Sequence, residues 1–148
     1  MQHQAPWFMT ALALAASGSA ALAQTTPSPI EESASGAEKL GYKTVAAALE
    51  GLKAMPGASV TVTQPDGWTI AVEPGTKAMW SFTPAGHYAH PAVVRREIKQ
   101  RDGGIYVEMV ALCQAEKEPC DRLIREFQAL NQRMSEAIRN RQPGPSQK

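Results

Sequence analysis

The chain has 148 residues, 43% of them hydrophobic and 20% charged, with 15 Lys and Arg against 14 Asp and Glu for a formal net charge of +1. That length suits one core and is short for two. The near-neutral balance argues against a dedicated nucleic-acid binder, which needs a basic surface to displace counterions from phosphates.

The first 24 residues carry no Asp, Glu, Lys or Arg, and an apolar stretch from Trp7 to Ala16 leads through small residues to Ala21-Leu22-Ala23-Gln24. This is the pattern of a secretory signal peptide, residues 1–23, cleaved between Ala23 and Gln24. Only the α-amine and His3 supply positive charge ahead of the apolar run, where Lys or Arg is usual. The run is far shorter than the roughly 20 residues that span a bilayer, and Ser17, Gly18 and Ser19 interrupt it. No second apolar stretch follows, and the residue after the cleavage site is Gln24 and not the Cys that lipid attachment needs. The expectation is an exported mature chain, periplasmic or secreted, with no transmembrane segment and no lipid anchor.

Residues 24–41 mix Pro, Ser, Thr, Gly and charge around Ile30 and Leu40, too little apolar surface to offset ordering, and read as a flexible leader. Residues 142–148, with two prolines, read as a disordered tail. A single α+β domain is expected over 42–141.

Within it, Val45, Ala48, Leu49, Leu52 and Met55 recur at helical spacing behind Thr44, a suitable N-cap, and Pro56-Gly57 ends the pattern; Gly51 weakens it. Val60 to Thr63 and Trp68 to Val72 alternate with period two around Pro65-Asp66-Gly67, which predicts a hairpin with Val60, Val62, Trp68, Ile70 and Val72 facing inward. A third strand follows over about Lys77 to Phe82, with Trp80 and Phe82 on one face. Ala92 to Arg101 and Ile105 to Leu112 flank Asp102-Gly103-Gly104 and form a second hairpin. A Gly103-Gly104 turn places Lys99 opposite Glu108 and Arg96 opposite Ala111; an Asp102-Gly103 turn would set Glu97 against Glu108, so the first register is preferred. Finally, Leu123, Phe127, Leu130, Met134 and Ile138 form a helical stripe with Pro119 in the first turn and Asp121 one turn before Arg125. The expected architecture is an antiparallel sheet of about five strands, two hairpins plus a linking strand, covered by this long C-terminal helix, with a short N-terminal helix.

Cys113 and Cys120 bracket the corner between the last strand and this helix, and an even pair in an exported protein is expected to form a disulfide. Six intervening residues do not make a C-x-x-C redox motif, although a thiol near a helix N-terminus has a lowered pKa. The loop Trp80 to Pro91 holds Trp80, His87, Tyr88 and His90, a candidate ligand or metal site, since two imidazoles three residues apart can share a metal in a turn. No third ligand is marked, so no cofactor is predicted from it. On the strand Ala92 to Arg101, Arg95, Lys99 and Arg101 point to one face, a candidate contact for an anionic polymer or lipid, or a solvated face that resists edge pairing.

The run Trp80-Ser81-Phe82-Thr83-Pro84 with His87 and His90-Pro91, then Cys113, Cys120-Asp121, Glu126-Phe127 and Leu130-Asn131, resembles small exported bacterial proteins of the proteobacterial type. The resemblance implies a signal peptide, a disulfide and a compact domain, and it implies no activity. No catalytic constellation stands out, and Ser81 lacks a nucleophile-elbow context. The expectation is an exported, non-catalytic binding domain whose partner is an envelope protein or polymer. The alternatives are a metal-dependent or hydrolytic enzyme on the His87/His90 loop, and adhesion through the basic strand.

Overall fold

The computed structural model describes residues 36–141. The expected signal peptide with its Ala23-Gln24 cleavage point, residues 24–35 of the expected leader and the tail 142–148 lie outside them. After a helical turn at residues 36–40, the elements are α1 (Val45–Ala54), β1 (Ser59–Val62), β2 (Thr69–Val72), β3 (Met79–Phe82), β4 (Ala92–Arg101), β5 (Gly104–Cys113) and α2 (Lys117–Arg141). The strands form one antiparallel sheet in the order β1-β2-β3-β4-β5, an α+β fold. Leu40, assigned to the leader by composition, is buried against α1.

Thr44 caps α1 by accepting a hydrogen bond from the Ala47 N–H at 3.1 Å, and Val45, Ala48 and Leu52 are buried. Gly51 has a packing reason to be there. A Cβ at that position would lie 2.5 Å from the Tyr42 ring, which in turn stands edge-on to Trp80 at 6.0 Å.

The pairing register sorts the strands into two faces. Val60, Ala71, Trp80, Arg95 and Val110 form one row across the sheet, with Phe82, Val93 and Leu112 in the next, and these pack against α1 and Leu40. The alternate rows, among them Val94, Ala111 and Met109, pack against Leu123, Ile124 and Phe127 of α2. The long helix therefore covers one face as expected, and the short helix covers the other.

Two registers differ from expectation. In the first hairpin Val62 pairs with Thr69, because the chain closes a wider connection in which Thr63 N–H bonds the Trp68 carbonyl at 2.8 Å. Ile70 and Val72 thereby turn to the α2 face while Val60 faces α1, and Val62 is 57% exposed. In the second hairpin Arg101 pairs with Gly104, so Asp102-Gly103 is the turn. Both residues have positive φ, 52° and 75°, the type I′ geometry that Asp-Gly adopts readily. Glu97 does face Glu108, and the repulsion is relieved by Lys99, whose Nζ lies 2.6 Å from Glu97 and 3.9 Å from Glu108.

Beyond Arg96 the β4–β5 hairpin runs past the four-residue strands as a two-stranded ribbon. The Cys113–Cys120 disulfide, with Cα atoms 5.8 Å apart, ties the end of β5 to the first turn of α2. There Asp121 pairs with Lys117 at 2.6 Å in place of Arg125.

Candidate binding site

The 83–91 loop is held in place at both of its histidines, by different groups. Nδ1 of His90 lies 3.0 Å from the Thr83 carbonyl, which only accepts, so Nδ1 carries the proton. His90 and Pro91 line a cavity on the α1 side with Val45 and Leu49. His87 instead packs on the α2 side, edge-on to Trp68 at 5.0 Å and tilted over Tyr88 at 4.2 Å, with Nδ1 accepting from the Ala89 N–H at 3.2 Å. Burial lowers its pKa against the raising influence of Glu126. The Tyr88 hydroxyl donates to Glu126 at 2.6 Å, and Arg122 donates to the other carboxylate oxygen at 2.9 Å while lying 4.3 Å over the Tyr88 ring. Burial first, and then that bond to Glu126, pushes the phenol up to about 12. These groups fasten the loop to α2.

Trp80 belongs to the opposite face, 3% exposed, its Nε1–H donating to Glu73 at 3.3 Å. The structure does not bring it to His87, Tyr88 or His90. Among the described residues no group of three or more His, Cys, Asp or Glu side chains converges as a metal site.

Arg95 and Lys99 share the α1-side face of β4, and both are held by carboxylates. Arg95 pairs with Glu73 at 3.1 Å and Glu97 at 2.9 Å, and Lys99 pairs with Glu97 and Glu108. The hydrogen bond from Lys99, opposed by burial and aided by Arg95, holds the Glu97 carboxyl below its usual range. Arg101 lies 5.2 Å over the Tyr106 ring. Arg95 and Lys99 thus belong to an ion-pair network, while Arg101 has no carboxylate partner among the described residues.

A half-buried cation without a carboxylate partner lies one strand position from Arg95. Arg96 lies opposite Met109, not Ala111, and its side chain is half-buried under α2 instead of running out to water. NH1 and NH2 meet only the thioethers of Met134 at 3.6 Å and Met79 at 3.4 Å, both weak acceptors. The Phe127 ring is 5.1 Å from the guanidinium carbon, and Nε is buried without a hydrogen-bond partner. Burial lowers its pKa, yet an arginine in a protein stays charged. The guanidinium borders a cavity of about 100 Å³ walled by Met79, Ile98, Val107 and Met134. Lys77 stands at its rim, an exposed residue in the left-handed backbone region at φ 57°. Among the described residues neither Arg96 nor Lys77 has a carboxylate partner.

The sequence did carry a signal for Arg96. It is the lone charge between Val94 and Ile98 on one face of β4, and the stripe of α2 opposite that face, Leu123, Phe127, Leu130, Met134 and Ile138, offers no acid. No protein-family model, curated protein or solved structure matches the chain.

Proposed function

We propose that the protein is exported through its N-terminal signal segment and acts in the cell envelope as a non-catalytic binding domain that recognises an anionic ligand at Arg96. The observation that carries the reading is a half-buried guanidinium, flanked by thioethers and bordering a cavity, with no carboxylate to neutralise it. Taking such a charge out of water without a partner is unfavourable, and sites that bind anions supply that partner from the ligand. The disulfide at the β5–α2 corner and the signal-like leader support an oxidising compartment. Among the described residues no helix is long and apolar enough to cross a membrane.

The test is native mass spectrometry of the untagged protein from the periplasmic or extracellular fraction, beside an Arg96→Gln variant prepared identically. A chain beginning at Gln24, two hydrogens lighter than its reduced mass and carrying an anionic adduct that Arg96→Gln loses, is the expected result. Retention in the cytoplasm with reduced cysteines would sink export, and an adduct indifferent to Arg96→Gln would sink this site.

A further inference from the structure

We infer that the ligand of the Arg96 cavity is a short aliphatic carboxylate, of about four or five carbons, whose head engages the guanidinium and whose branched or straight alkyl group fills the methionine-lined space. The inference rests on the anion-binding reading above and adds the ligand's chemistry.

The head follows from the donors. A planar guanidinium offers paired N–H groups that match a carboxylate in a bidentate arrangement, and here NH1 and NH2 are occupied only by thioether sulfurs that a carboxylate oxygen readily displaces. A tetrahedral dianion needs donors converging from several sides, and the wall supplies only Arg96 and Lys77 as cationic donors. Glu97 also borders the cavity, but its side chain turns to the other face of β4, where Arg95 and Lys99 engage the carboxylate.

The tail follows from the wall. Met79, Ile98, Val107 and Met134 present apolar atoms, and Met79 and Ile98 are 39% and 57% exposed, large values for residues that an apolar ligand would cover. About 100 Å³ holds roughly three to four groups of water size at ~30 Å³ each, which is a propyl or isobutyl group and not a long acyl chain. Two unbranched methionines let the wall close around either shape. Lys77 at the rim places a second positive charge at the entrance, where it draws monoanions in without demanding a fixed geometry.

Calorimetric titration of the full exported protein with sodium isovalerate, sodium acetate, 3-methylbutan-1-ol and inorganic phosphate separates these elements. Isovalerate is expected to bind about tenfold or more tighter than acetate through its buried methyl groups, and the alcohol is expected to give no heat of binding. Arg96→Gln is expected to abolish isovalerate binding, while Lys77→Gln, at an exposed turn that cannot compromise the core, weakens it about threefold. Equal affinity for acetate and isovalerate, or for the alcohol and the acid, overturns the inference. So does tight binding of a peptide ending in a free Leu carboxylate with none of isovalerate. Phosphate binding that Arg96→Gln removes, without isovalerate binding, overturns the ligand class and leaves Arg96 as an anion site. No binding by any of the four, or binding that Arg96→Gln leaves unchanged, overturns both.

Discussion

Gly51 and Arg96 are the two residues at which packing and propensity pull apart. In an exposed helix Gly51→Ala would raise stability by about 1 kcal/mol, but here the added methyl meets a Tyr42 ring that Trp80 holds edge-on. Overpacking of that kind costs roughly 1 to 3 kcal/mol, so Gly51→Ala is expected to lower stability by about 1 kcal/mol. In a Tyr42→Ala background the same change is expected to stabilise, and a double-mutant cycle in urea reads the reversal of sign. Arg96 shows the opposite tension. Arg96→Met replaces an unmatched charge by a side chain suited to Met79, Met134 and Phe127, and is expected to stabilise by about 1 kcal/mol and raise Tm by roughly 4 °C. A variant that is more stable and no longer binds anions marks a residue kept for function. A fall in Tm would show that the guanidinium is structurally satisfied. The sequence marked Arg96 as a lone charge on an apolar face, but its neighbours were not legible before the register was known, since moving the turn by one residue shifts the pairing by two and carries Arg96 from a small neighbour, Ala111, to Met109 beneath α2.

Elements were more legible than their pairing. The Thr44 cap, the period-two runs and the stripe from Leu123 to Ile138 each report a local preference that the fold keeps. The hairpin register depended on a competition the pattern does not weigh, between one like-charge pair and the backbone needs of a turn. The turn won because Asp102 and Gly103 sit at positive φ and the repulsion has Lys99 as a local remedy. Two glycines therefore respond differently. Gly103→Ala is expected to cost about 1 to 2 kcal/mol at φ 75°, whereas Gly104→Ala, with its nearest contact at 3.4 Å, is expected to cost less than about 0.5 kcal/mol; thermal unfolding of the two variants reads the difference. Glu97→Gln addresses the remedy itself. Because hydrogen bonds from Lys99 and Arg95 depress the folded pKa of Glu97, its stabilisation is complete above the unfolded value near 4.5 and is lost as pH falls through the folded one. The variant is expected to be about 1.5 kcal/mol less stable than the parent at pH 7, and the gap in urea titrations is expected to narrow as pH falls below 4.5.

At the scale of the molecule, one sheet carries a separate helical cover on each face. The second cover was foreshadowed by Ala92-Val93-Val94 and Trp80-Ser81-Phe82, runs buried at every position, which alternation on a one-sided sheet does not produce. The sequence pointed to α2 as a cover because its stripe is long, and it was silent about α1 because ten residues with a glycine make a weak stripe. The α1 cover is pinned by Gln114, whose Oε1 accepts from the Val45 N–H at 2.9 Å. The α2 cover is pinned twice, by the disulfide at its first turn and by Tyr88 bonding Glu126 farther along. Reduction of the disulfide, with the cysteines then blocked, is expected to cost about 2.5 kcal/mol for so short a loop, with the extra exposure concentrated in α2 by hydrogen exchange. The second pin has its own pH signature. Tyr88 ionises near 10 when unfolded and near 12 when folded, so the folded state retains a proton that the unfolded state releases. Its contribution is full below pH 10 and disappears as pH rises toward 12. Between pH 9 and 11 the parent is expected to lose stability faster than Tyr88→Phe, which has no such proton to retain. Parallel slopes for the two proteins would mean that the phenol is free of Glu126 and that the disulfide is the one pin that acts beside the apolar packing of Leu123, Ile124 and Phe127.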